Sequence, residues 1–310
     1  MTRVGLVLLL VLTVPVQAGL RPGLFSDGLL QSSQLLGEQF PKQLLDPLGG
    51  SHVLPAPPSR IVSATLASDE MLAALGATQR VVGVTHLVDN PRLSNVPDVY
   101  PASVARVSGD IESILALQPD LVIVASYTRV ETVRLLLGAG IPVLRLQAPL
   151  SLADLERNLT LLAHLTGHTE TLAALVAGWQ TVVPVNSSQP RVLYYDLSGS
   201  SVGPGDLTHE LIERAGGYNV LRDTGLQGVQ RLSAEQAISL QPDVILLSGW
   251  DIQAKADQQM YTNPAWQNVP AIKQRRVCVL QGAWRSSASH FRWQGFAQIQ
   301  QCLMDREEQP

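Results

Sequence analysis

Aromatic residues are scarce in this chain: five Trp, six Tyr and four Phe make 5% of its 310 residues. A wall of stacked rings is therefore excluded, and any flat contact must come from a few placed side chains. A block of like charge is also missing, with 22 Lys and Arg against 26 Asp and Glu and a formal net charge of −4. The strongest basic cluster, Lys273, Arg275 and Arg276, precedes a strand and reads as a solvated turn. These features exclude nucleic acid as the main partner. Cysteine is limited to Cys278 and Cys302, and no three His fall close together, so a resident zinc or manganese site is not expected. After the first residues, no apolar run approaches the roughly 20 residues that cross a bilayer, which argues against direct membrane insertion.

The N-terminus is what remains strongly apolar. Arg3 supplies a positive start, residues 4–16 are almost wholly apolar, and Val16-Gln17-Ala18 has the small-residue pattern of a cleavage site. Residues 1–18 are expected to be a secretory signal peptide, the alternative being a short membrane anchor. No Cys follows the cleavage site, which disfavours a lipoprotein. Export places the two cysteines in an oxidising compartment. Cys278 falls in a strand and Cys302 in the last helix, and a helix packed back on that strand brings them together. A disulfide is expected, the alternative being two buried thiols.

One segment occurs twice. Glu112-Ser-Ile-Leu-Ala-Leu-Gln-Pro119-Asp120 returns as Glu235-Gln-Ala-Ile-Ser-Leu-Gln-Pro242-Asp243, each followed by an apolar run. A fainter echo links residues 68–76, which contain Ser68-Asp69-Glu70, to residues 208–216, which contain Thr208-His209-Glu210. A period above 100 residues is too long for a solenoid and reads as two similar lobes with a cleft between them. Strand signals alternate with short helices in each half, and the run at 121–125 is continuous, as in a parallel strand covered on both faces. The expected fold is α/β, with two doubly wound lobes. The boundaries are a spacer or loosely ordered arm at 19–45, including a short helix near 31–38, an N-terminal lobe at 46–166, a bridging helix at 167–188 and a C-terminal lobe at 189–310. Ser68 is expected to cap the first helix, with Asp69 and Glu70 in its first turn facing the helix dipole.

Several stretches in order carry a resemblance. Residues 58–63, 70–77 and 80–84, the segment 112–123, the turn Ala215-Gly-Gly-Tyr-Asn219, and residues 235–245 and 270–277 resemble a class III periplasmic substrate-binding protein of ABC importers, of the vitamin B12, ferric-siderophore and haem type. The resemblance spans about residues 46–304. It implies lobes bridged by a single long helix, and a monomer in the periplasm that captures a metal chelate and delivers it to a permease dimer. It also implies one docking Glu per lobe, here Glu112 and Glu235. No enzyme activity and no cofactor are implied.

Ligands of open α/β sheets sit beyond the carboxyl ends of the strands. That rule selects Ser63, Thr65, His86, Asp89, Arg106 and Tyr127 in the first lobe, and Trp250, Trp284, Arg285 and His290 in the second. Tyr127, Trp250 and Trp284 offer flat contacts, Arg106 and Arg285 would pair with ligand carboxylates, and His86 or His290 would reach a metal. The scarcity of rings favours a smaller or more polar chelate over a large tetrapyrrole. Two other readings stand beside this one. Gly199-Ser-Ser201-Val-Gly203 fits a serine-hydrolase elbow, with Asp243 or Asp251 and then His290 following in hydrolase order. A chelate sensor or scavenger without a transporter would share the fold and cleft.

Overall fold

The computed structural model describes residues 30–179, 189–248 and 256–304, apart from the side chains of Arg285 and Ser286. The expected signal peptide therefore lies outside the described residues, as do Trp250, Asp251 and the second half of the expected bridging helix. No helix among the described residues is long and apolar enough to cross a membrane.

Three short strands come first: β1 (Gln34–Leu36), β2 (Lys42–Leu45) and β3 (Ser51–Leu54) form an antiparallel sheet. The arm expected at 19–45 is thus structured from residue 30 onward, and the short helix expected near 31–38 is strand β1. The reason is polar stitching that residue-type reading passes over. The Ser33 hydroxyl donates to Val143 O and accepts from Arg145 N, and Lys42, only 4% exposed, donates to His164 O. Asp46 closes the β2–β3 turn by accepting from the backbone N–H groups of Leu48 and Gly50.

The first lobe holds β4 (Ile61–Ser63), α1 (Leu66–Ala74), β5 (Val81–Thr85), β6 (Ala105–Val107), α2 (Ile111–Ala116), β7 (Leu121–Ala125), α3 (Val130–Gly138) and β8 (Val143–Leu146). Its five strands pair in parallel in the order β6-β5-β4-β7-β8. Two helices follow, α4 (Leu152–Thr166) and α5 (Thr169–Val176). The second lobe holds β9 (Arg191–Asp196), β10 (Ser200–Val202), α6 (Leu207–Arg214), β11 (Tyr218–Asn219), β12 (Val229–Arg231), α7 (Ala234–Ser239), β13 (Val244–Ser248), α8 (Asp257–Thr262), α9 (Pro270–Lys273), β14 (Val277–Val279) and α10 (Gln294–Met304). Its main sheet is parallel in the order β11-β9-β13-β14, and β10 pairs with β12 as a separate antiparallel ribbon.

Strand periodicity shows how the lobes are held. On β7, Leu121 and Ile123 face one core while Val122 and Val124 face another, under α2 and α3. On β13, Val244 and Leu246 join the same core as Leu121, while Ile245 and Leu247 turn to the other side of their sheet. One continuous apolar core therefore runs from Leu72 and Leu155 through Leu211 to Phe296 and Ile299. The lobes share a packed seam in addition to the chain that connects them.

Candidate functional site

The carboxyl ends of the first lobe's strands open into a cavity of about 310 Å³. Thr65 after β4, Thr85 and His86 at the end of β5, Ser108 and Gly109 after β6, and Tyr127 after β7 line it. Tyr127 stands 80% exposed at its mouth. At the carboxyl end of β9, the second lobe presents a smaller hollow of about 260 Å³ walled by Tyr194, Asp196, Ser198, Asp206, Thr208 and Arg292.

Of the residues expected from sequence, Thr65, His86 and Tyr127 are brought together in the first cavity. Ser63 is not. It is fully buried, and its hydroxyl lies 2.6 Å from Ser68 Oγ behind the wall. Arg106 and Asp89 are committed to each other through paired contacts of 2.8 Å, and Arg106 also donates to the carbonyls of Val104 and Tyr100. This pairing holds the Asp89 carboxyl below its usual pKa and leaves Arg106 a loop clamp, not a hand for ligand carboxylates. Trp284 is a core residue: it is 4% exposed, its indole N–H donates to Gln281 O, and its ring packs so closely on Gly295 that a Cβ there would meet it at 2.4 Å. His290 stacks beside Phe291 at 4.1 Å between centroids, and burial lowers its pKa to about 4. It lines neither of the two cavities. The Arg285 side chain and Trp250 fall outside the described residues.

The serine-elbow reading fails on geometry. Ser201 lies within β10, paired with Gln230 of β12, and is fully buried. Its hydroxyl donates to Tyr194 O at 2.6 Å, so it is spent on a carbonyl and no helix starts behind it. No group of three or more His, Cys, Asp or Glu able to hold a metal occurs among the described residues.

Sequence reading missed Asp69 and Glu70. Helix α1 begins three residues earlier than expected, with Thr65 as its cap and its side chain accepting from Ser68 N. That shift carries Asp69 and Glu70 a full turn into the helix, and both are fully buried. Asp69 Oδ2 accepts from the N–H and hydroxyl of Thr85, at 3.1 and 2.6 Å, directly beneath the cavity floor. Its Oδ1 has no hydrogen-bond partner, and burial pushes its pKa up to about 7.

Glu112 and Glu235 occupy matching places. Each is the second residue of a six-residue helix, α2 or α7, and each is exposed. Asp110 and Ser233 cap these helices, and Ser233 holds the Glu235 carboxyl below its usual pKa. Glu112 lies three residues beyond Gly109 of the cavity wall.

Residues 61–283 match the family described as periplasmic binding protein. A cobalamin-binding protein of Halobacterium salinarum is 29% identical over 220 residues, which is 67% of this chain and 58% of that relative. The chain thus spans less than two thirds of that relative's length. The molybdate-binding protein MolA of Haemophilus influenzae is 25% identical over 244 residues, covering 69% of this chain and 67% of the relative. Among solved structures, the periplasmic heme-binding protein RhuT from Roseiflexus sp. RS-1 superposes with a TM-score of 0.62 at 25% identity, over 80% of this chain and 98% of that one. The vitamin B12-binding protein BtuF of Vibrio cholerae gives 0.61 at 21% identity, over 82% and 99%.

Proposed function

This chain belongs to the periplasmic binding protein family, whose members bind solutes for transport and are not enzymes, and on that premise we propose that it captures a metal chelate between its lobes and delivers it to an ABC importer. Export to the periplasm by residues 1–18 is part of the same reading. Within the chelates, an amide-fringed corrinoid is the best match. The observation that carries this choice is the polarity of the cleft. Its walls carry the carboxyl groups of Asp196 and Asp206 and hydroxyls of Thr65, Thr85, Ser108 and Thr208 that already hold internal hydrogen bonds, while Arg106 is spent on Asp89 and Arg292 on Thr208. The two carboxylates are acceptors that suit ligand amide N–H groups. The Asp196 and Asp206 carboxylates oppose an oxoanion such as molybdate beside them, and they give little to haem propionates or to the carboxylates of many siderophores. Tyr127 supplies an exposed flat contact in the first cavity, and Tyr194 a second ring in the other hollow.

A thermal-shift panel on residues 19–310 tests the proposal, with cyanocobalamin, haemin, a ferric hydroxamate siderophore and molybdate as probes. A ligand present at 100 times its dissociation constant stabilises the folded state by about 2.7 kcal/mol. Cyanocobalamin is expected to raise Tm and molybdate to leave it unchanged. A response to molybdate alone, or to none of the chelates, contradicts the reading.

A further inference from the structure

The fainter sequence echo puts one Glu near the start of the first helix of each lobe, Glu70 as the fifth residue of α1 and Glu210 as the fourth of α6. Both reach across the seam. Glu70 Oε1 accepts from the backbone N–H and the Nδ2 of Asn95, at 2.8 and 2.7 Å, within its own lobe. Its Oε2 accepts from the hydroxyls of Ser287 and Ser289, the latter at 2.6 Å, more than 200 residues away in the second lobe's chain. Those two serines are 4% and 0% exposed. Glu210 works in the opposite direction. Its Oε2 accepts from Leu152 N at 2.9 Å, in the first turn of α4, while Oε1 accepts from Arg214 of its own helix at 2.8 Å.

Each crossing lies next to a cleft wall. Ser289 caps the turn His290–Trp293, which carries Arg292 into the second lobe's hollow. Arg292 in turn donates to Thr208, two residues before Glu210. On the other side, Asp69 beside Glu70 holds Thr85 at the cavity floor. A shift of the Glu70–serine contact therefore moves the Arg292 wall relative to the Thr85 wall.

We propose that Glu70 and Glu210 are a two-fold related pair of positioning residues that set the aperture of the cleft, each by holding a segment of the opposite lobe. A single chain connection alone would leave the lobes free to twist about it; a buried crossing at Glu70 and a part-buried one at Glu210 hold one angle. The inference concerns lobe geometry and does not depend on which solute is bound.

A purely structural role would lower stability without changing the native lobe angle, so the test reads the angle. Nitroxide labels are placed at the exposed positions Leu135→Cys in the first lobe and Val229→Cys in the second, with Cys278 and Cys302 left in their disulfide. Their separation is measured by pulsed dipolar spectroscopy without ligand. The parent protein is expected to give a single narrow distance. Glu70→Ala with Glu210→Ala is expected to shift and broaden it. Glu70→Gln should restore the narrow distance, because its Oε1 still accepts from Asn95 and the serine hydroxyls can rotate to accept from its Nε2. A double-alanine protein with native far-UV circular dichroism and the parent's distance overturns the proposal. If Glu70→Ala does not fold, Glu210→Ala with Ser287→Ala carries the same expected and overturning results.

Discussion

At Asp69, burial and hydrogen bonding pull in opposite directions. It accepts two hydrogen bonds from Thr85, leaves one carboxyl oxygen without a partner, and sits fully buried beside Glu70. Desolvation dominates and raises its pKa from 3.8 to about 7. A raised acid pKa means that between these values the folded state binds more protons than the unfolded state. Stability from this group is therefore full in acid and is lost as pH rises through about 7. At about 1.4 kcal/mol per pH unit, the gap caps the loss at about 4 kcal/mol. Asp69→Asn, which keeps an acceptor for Thr85 and cannot ionise, is expected to stabilise the protein most at pH 8, clearly less at pH 5 and least at pH 3, as read from urea unfolding. Equal effects at all these pH values would contradict the buried-acid account. None of this was legible in sequence. Ser68, Asp69 and Glu70 look like a cap and an acidic first turn, and only the earlier start at Thr65 turns the acids inward. Trp284 misled for a related reason: its place in a loop after a strand suggested the cleft, while Gly295 leaves room for its ring in the core.

Among the elements, the doubled segment was read correctly as a repeat, and the structure gives it a mechanical reason. Gln118 and Gln241 both take positive φ, 47° and 46°, to end α2 and α7 ahead of their prolines. Asp120 and Asp243 then accept the backbone N–H of Arg60 and Arg191, at 2.9 and 3.0 Å, which pins β7 to β4 and β13 to β9. The same arginines donate to carbonyls at the ends of α2 and α7, Arg60 to Leu117 O and Arg191 to Leu240 O. The β10–β12 ribbon escaped notice because its strands are three residues long and lie among Gly and Ser residues, which read as turn composition. Strand β14 and helix α10 meet through a disulfide between Cys278 and Cys302, with Cα atoms 6.0 Å apart and a sequence separation of 24. Closing a loop of that length contributes about 3 kcal/mol in the chain-entropy model. Dithiothreitol is expected to lower the urea midpoint of the wild type, and to leave Cys278→Ser with Cys302→Ser unaffected. A wild-type midpoint indifferent to reductant would count against the bond.

At the level of the whole molecule, strand-end logic located the cleft, and motif order located the family. The wall residues were only partly legible, because hydrogen bonds decide which loop groups are free: Arg106 belongs to Asp89, while Thr85 and Ser108 face the cavity. The shared core and the two Glu crossings were out of reach of periodicity, since they join residues from opposite halves of the chain. Glu112 and Glu235 remain exposed at matching helix starts, as docking to a two-fold permease would require. Glu112→Lys with Glu235→Lys is expected to abolish solute uptake by the cognate importer while leaving solute affinity unchanged. Undiminished uptake would favour a stand-alone sensor or scavenger. The central claim is that a chelate occupies the cavity lined by Thr85, Ser108 and Tyr127, and calorimetric titration with cyanocobalamin tests it most directly. The account predicts one ligand per chain for the wild type and loss of the binding heat in Ser108→Trp, whose indole fills the cavity; no heat from the wild type, or undiminished binding by Ser108→Trp, would contradict it.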